Sequence, residues 1–164
     1  MTISSPAQRY VIALGSNRRG RHGAPAREVR TALAVLGGIA MSRVIMTAPL
    51  GPSSRQFANA AALIASDETP PRLLARLKEI ERRFGRRPGR RWGARVIDLD
   101  IILWSGGIWA DDRLTVPHRA FRDRDFVLNP LLQIVPAWRD PVTHRTIRQL
   151  AARVRAVDRR PTRS

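Results

Sequence analysis

The chain has 164 residues, 43% hydrophobic and 26% charged, values of a folded globular protein that exclude a wholly disordered chain. No apolar run approaches the ~20 residues that span a bilayer, the N-terminus lacks the basic-then-apolar order of a signal peptide, and cysteine is absent, which excludes disulfides, thiolate metal sites and cysteine nucleophiles. The net charge of +17, carried by 30 basic residues that are all arginine except Lys78, suits a nucleic-acid partner and equally a coding bias toward arginine, while 5% aromatics is scarce for base stacking. The expectation is a cytoplasmic protein of one domain over residues 1–164.

In chain order, Tyr10 to Leu14 reads as a buried strand closed by the turn Gly15-Ser16-Asn17. After the basic, glycine-containing loop RRGRHGAP, Pro25 opens a helix with Val29, Leu33 and Leu36 on one stripe, stopped by Gly37-Gly38. A second strand covers Ile39 to Thr47 and a third Phe57 to Ala65, as a hairpin-like pair. Thr69-Pro70-Pro71 opens a second helix with Leu73, Leu77, Ile80 and Phe84 at helical spacing, ending at Gly85. The run GRRPGRRWG is too rich in Gly, Pro and Arg for a regular element, and Val96 to Trp104 is the clearest strand in the chain. A short hairpin through Ile108-Trp109 and Leu114 to Val116 follows. Asn129-Pro130 then reads as cap and first residue of a helix through Val135, Thr146 to Val154 as a last helix, and Arg155 to Ser164 as a frayed basic tail. The order strand, helix, strand, strand, helix, strand is the split βαβ arrangement, with helices on one face of a sheet and the other face free for a site.

Alternation along VIDLDIILW places Ile97, Leu99, Ile101 and Leu103 on the core face and Asp98, Asp100, Ile102 and Trp104 on the other. Asp98 and Asp100 then point the same way with Cα atoms about 6–7 Å apart. Two like charges at that spacing repel, and a divalent cation between them converts the liability into a site. Hard oxygen ligands without thiolate point to Mg²⁺, which usually brings phosphates with it. Structural pairing with arginine is the alternative. Seven of the fourteen residues from Arg82 to Arg95 are arginine, in a loop that delivers the chain to the aspartates, and guanidinium forks match phosphate oxygens. A solvated charge run or an RNA contact is the other reading of that loop. Phe57 and Asn59 share one side of the third strand, an aromatic plate and an amide suited to a flat heterocycle or to the core. His118 lies in a polar loop with Arg119, Arg122 and Arg124 and could meet phosphate. His22 and His144 read as surface residues without partners. No G-x-S-x-G, P-loop or G-x-G-x-x-G occurs.

RWGARVIDLDIILW and RLTVPHRAFRDRDFVLNPLLQIVP, with YVIALGSN before them and TAPLGPSSRQFANAA between, resemble the 6-hydroxymethyl-7,8-dihydropterin pyrophosphokinases of folate biosynthesis from about Tyr10 to Pro136. The resemblance implies an α+β, ferredoxin-like βαββαβ sandwich with an added C-terminal hairpin and helices. It also implies transfer of the terminal diphosphate of ATP to the pterin's hydroxymethyl oxygen, with release of AMP. On it, Asp98 and Asp100 match the holders of two Mg²⁺ ions, and Arg86 and Arg95 the arginines that assist transfer. Phe57 and Phe126 match the plates that sandwich the pterin, Asn59 the amide at its edge, and Thr47, Ala48 and Leu50 the loop beside it. Glu81, Arg91, Trp92, Ile101, Arg113, Thr115, His118 and Arg124 match positions around ATP. The implied partners are these small molecules and the implied state a monomer, with neither membrane nor nucleic acid as partner.

The chain departs from the family in the loop after Asn17, which is longer and more basic than usual. Ala48-Pro49 stands for the usual proline pair, and the loop between Gly85 and Trp92 is one residue short. A paralogue acting on another heterocycle and an RNA-binding domain of similar strand order are the alternative functions.

Overall fold

In the computed structural model, residues 7–48, 55–85 and 96–160 are described. The first strand, β1 (Gln8–Ser16), is the spine: Tyr10, Val11 and Ile12 are fully buried because the strand is flanked on both edges and covered on both faces. The helix α1 (Pro25–Leu36) starts at its proline and stops where Gly37 turns left-handed at φ 64°, its N–H returning to Leu33 O at 3.2 Å. After it the chain runs back as β2 (Ala40–Met41) and β3 (Ile45–Thr47), which both pair antiparallel with β4 (Phe57–Ser66). Then come α2 (Pro70–Arg83), β5 (Asp98–Trp104), a hairpin of β6 (Trp109–Ala110) and β7 (Thr115–Val116), a single 3-10 turn at Phe121–Asp123, α3 (Asp125–Ile134) and α4 (Ile147–Asp158). The main sheet has the order β2-β4-β1-β5, with β3 continuing the β2 edge.

The expected second strand is broken at residues 42–44. Ser42 causes the break: its hydroxyl accepts the Ala61 N–H at 2.8 Å and donates to Arg43 O at 2.9 Å, a side chain standing in for the ladder. The expected alternation along β5 also fails beyond Ile101. The register against β1 shifts between Val11 and Ile12, so Ile102 is an extra residue and everything after it changes face. Leu103 therefore joins Ile102, Val11 and Leu63, while Trp104 moves to the opposite side, its ring stacked on Tyr10 with centroids 6.4 Å apart.

On one face, α1 and α2 bury Val29, Leu33, Leu73 and Leu77 against Tyr10, Ile12, Leu99 and Ile101. The other face is not free, as expected, but half covered: α3 and α4 pack Leu128, Leu131, Ile147 and Leu150 on Val11, Ala61, Leu63 and Leu103. Helix α3 begins at Asp125, five residues before the expected start, and carries Pro130 inside it. The missing N–H and ring clash of an internal proline cost about 3 kcal/mol. Burial of Val127 and Leu128, which the extension adds, contributes about 2 kcal/mol each and decides for the longer helix. Helix α4 extends to Asp158, four residues into the expected tail, behind a Thr146 and Gln149 capping box. His22, expected to lack a partner, lies 2.8 Å from the buried Glu28 carboxylate. Among the described residues no helix is long and apolar enough to cross a membrane.

Candidate active site

The covered face has one stretch where the middle strand presents almost no side chain. Gly15 of β1 pairs with Asn59 of β4 on one side and Asp98 of β5 on the other, and Ala13 pairs with Asp100. A row of amide, glycine and carboxylate thus crosses three strands, with a second carboxylate one pleat further on. Because Ala13 and Gly15 leave the floor low, and α3 arrives with Phe126 and Val127 in its first turn, a cavity of about 600 Å³ remains. Ser16, Asn17, Phe57 and Arg124 also line it.

Asn59 is held before any ligand arrives. Its Nδ2 donates to Thr47 Oγ1 at 3.2 Å, so Oδ1 stays on the Gly15 side as an acceptor. A Cβ added to Gly15 would lie 3.3 Å from that oxygen, tighter than ordinary contact, so glycine keeps the amide accessible. Gly15→Ala is expected to raise KM for a heterocycle read by Asn59 about tenfold, the worth of one hydrogen bond, with a smaller change in kcat; steady-state kinetics at saturating co-substrate checks it. The guanidinium of Arg124 lies 5.7 Å from the centroid of Phe126, over the ring. His118 sits within the charges of Arg124 and Asp98, and its pKa is pushed down by burial first and by Arg124 next, against a smaller upward pull from Asp98. Its Nδ1 accepts the Ala120 N–H at 3.2 Å, so the neutral ring carries its proton on Nε2 and is a donor near pH 7.

The cavity brings together six of the expected residues: Phe57, Asn59, Asp98, Asp100, Arg124 and Phe126. Thr47 stands behind Asn59, and Ala48 follows it at the end of β3. Arg113 and Thr115 are on the β6 and β7 hairpin, outside the lining, with the Arg113 N–H on Asp111 Oδ1 at 2.7 Å. Ile101 is 2% exposed in the core on the face away from the aspartates, which leaves only its main chain to a ligand. Glu81 is buried on α2, where its Oε1 accepts the Leu99 N–H at 2.9 Å. It thus grips β5 at the residue between the two aspartates, with Lys78 Nζ 3.7 Å from its other oxygen. Leu50, Arg86, Arg91, Trp92 and Arg95 lie outside the described residues. Absent from the expected set are Ala13, Gly15, Ser16, Asn17 and Val127, which also line the cavity. The signal for them was small residues at alternate positions of a buried strand, ending in Gly-Ser-Asn.

Among the described residues no group of three or more His, Asp or Glu side chains could hold a metal. Two strand carboxylates on one wall of a cavity do fit Mg²⁺, which is commonly bound by one or two carboxylates and completed by phosphate oxygens and water.

The sequence pattern of the 7,8-dihydro-6-hydroxymethylpterin-pyrophosphokinase (HPPK) family matches residues 11–136. The chain is 37% identical over 130 residues to the 2-amino-4-hydroxy-6-hydroxymethyldihydropteridine pyrophosphokinase of Haemophilus influenzae, covering 75% of this chain and 79% of that one. It is 40% identical over 131 residues to the protein of the same name from Methylorubrum extorquens, covering 78% and 83%. Among solved structures it resembles an HPPK-DHPS complexed with substrates, with a TM-score of 0.73, 13% identity and 94% of this chain covered. The Plasmodium falciparum HPPK-DHPS bound to SDX-DHP gives a TM-score of 0.69 at 15% identity, with 90% of this chain covered. The chain spans less than half the length of these two solved chains, 46% and 44%, and at such identity they show the fold.

Proposed function

This chain belongs to the 7,8-dihydro-6-hydroxymethylpterin-pyrophosphokinase family, a family of folate biosynthesis, and from that membership we propose how its own residues transfer diphosphate from ATP to the hydroxymethyl group of 6-hydroxymethyl-7,8-dihydropterin with release of AMP. The observation that carries the reading is the three-strand row of Asn59, Gly15 and Asp98 facing one cavity with Phe57 and Phe126.

In this reading the pterin lies between Phe57 and Phe126, with Asn59 Oδ1 accepting from its amino edge. Thr47 acts through Asn59 by fixing the amide. The hydroxymethyl group then points across Gly15 toward β5, where Ala13 and Gly15 keep the floor low. Asp98 and Asp100 would hold two Mg²⁺ ions, which when bound would supply charge neutralisation for the triphosphate whose β-phosphorus the hydroxyl attacks. Arg124, on the cavity wall, and the neutral His118, within the charges of Arg124 and Asp98, donate to phosphate oxygens. Glu81 keeps β5 in place between the aspartates, so their spacing does not depend on the ligand. Arg86 and Arg95 stabilise the charge that moves in transfer, and Arg91, Trp92, Arg113 and Thr115 complete the nucleotide's surroundings. The chain acts as one domain and as a monomer in the cytoplasm, on small molecules rather than nucleic acid.

Purified protein incubated with the pterin, ATP and Mg²⁺ should yield AMP and pterin diphosphate in equal amounts by chromatography. ADP as the pterin-dependent product would move the function to a paralogue that transfers one phosphoryl group.

A further inference from the structure

The loop after β1 is built around a buried carboxylate. Glu28 is fully buried, and its Oε1 accepts the N–H groups of His22 at 2.7 Å and Gly23 at 3.2 Å while Oε2 faces His22 Nδ1 at 2.8 Å. Gly20 and Gly23 close the turn through reciprocal main-chain bonds of 3.0 and 3.2 Å. A Cβ on Gly20 would lie 2.4 Å from Val96 Cγ1 and 2.6 Å from Glu28 Oε1, so only glycine fits against both. The His22 ring rests on Phe84, centroids 4.8 Å apart. The loop is thereby clasped to α1, to the end of α2 and to Val96 ahead of β5, and its first residue, Asn17, lines the cavity.

The clasp uses none of the loop's charge. Arg18, Arg19 and Arg21 are exposed, and among the described residues none of them makes an ion pair, in contrast to Arg76 with Glu68, Arg82 with Glu79 and Arg122 with Asp140. Three guanidiniums within four residues repel one another, and a rigid backbone prevents them from spreading. An anion of several charges relieves that repulsion, and guanidinium forks suit phosphate oxygens.

We propose that Arg18, Arg19 and Arg21, displayed by the Glu28 clasp on the loop that continues from Asn17 of the cavity lining, form a capture site for the polyphosphate chain of the incoming nucleotide. The proposal rests on the reading that a nucleoside triphosphate enters this cavity. One-sign charge beside a cleft raises association rates and makes them dependent on salt. Here the effect is local, set by where the three charges stand rather than by the net +17 of the chain.

The test is stopped-flow binding of a fluorescently labelled ATP with Mg²⁺, between about 20 and 200 mM salt so that screening changes severalfold. The variant Arg18→Ser, Arg19→Ser, Arg21→Ser leaves the clasp intact. A control, Arg148→Ser, Arg153→Ser, Arg159→Ser, removes the same charge from exposed positions on α4 and at its C-cap, which contribute nothing to the cavity lining. The loop variant should slow capture on the order of tenfold at low salt and flatten the salt dependence, with the control close to the parent. Equal slowing in both variants, or an unchanged loop variant with an unchanged melting midpoint, overturns the capture site. Capture is read without pterin and without turnover, so absence of AMP from the complete reaction would overturn the proposed function and leave this comparison intact.

Discussion

Asp98→Ala and Asp100→Ala should each lower Mg²⁺-dependent AMP formation on the order of 10³-fold or more while the melting temperature stays within a few degrees of the parent. The two side chains share one wall of the cavity across from Asn59, and neither belongs to the apolar clusters on either face of the sheet. Removing a carboxylate therefore leaves packing alone and removes half of the oxygen set that would hold the metal. The loss of several kcal/mol of charge stabilisation in the transition state translates into that factor. Quenched-flow or steady-state assay of AMP, with circular dichroism on the same samples, checks it. A variant that kept near-parental turnover would show that the aspartates do not hold the catalytic metal. Neighbouring Glu81 gives a useful contrast, since it contacts β5 through the Leu99 N–H and its loss would disturb the strand itself.

The largest effect on stability is expected at Asp140, outside the cavity lining. Its side chain is fully buried and takes two bonds from Arg122, at 2.7 and 2.9 Å, with further bonds from the Val142 and Thr143 N–H groups and from Thr143 Oγ1. Burial by itself pushes the carboxyl up, but the Arg122 and Thr143 bonds together outweigh it and hold the pKa at about 2. Asp140→Ala strands the partly buried Arg122 and several donors and should cost about 3 kcal/mol, a fall of roughly 6–12 °C in Tm for a chain of this size. Because the folded pKa is depressed, the contribution is complete above the ordinary carboxyl value near 4 and is lost as pH falls toward about 2. The stability gap between the parent and Asp140→Asn should accordingly narrow across that window in urea titrations, while turnover at neutral pH follows the folded fraction alone.

Much of the fold was legible from periodicity. Helices α1 and α2 have wide apolar stripes between a proline start and a glycine stop, and β1 and β5 are rich in strand formers, so local chemistry and final structure agree. The failures have a common cause. The break at Ser42, the extra residue at Ile102 and the early start of α3 each depend on a partner distant in sequence: the Ala61 N–H, the β1 register and the β4 surface. Period-2 and 3.6 patterns describe one element's own faces and carry no record of such partners.

The chemistry divides in the same way. Sequence alone determined the two aspartates on one side of a strand, the aromatic and amide on another strand and the surplus of arginine, because side-chain alternation and composition are local properties. Only the tertiary structure decided that Gly15 stands between Asn59 and Asp98 and that Leu103 and Trp104 exchange faces beyond the extra residue Ile102. It alone decided that Glu81 grips β5, and that Glu28 and His22 clasp the basic loop. Register across a sheet and the burial of a carboxylate are set by how elements meet, and packing free energy is a property of the meeting rather than of any single segment.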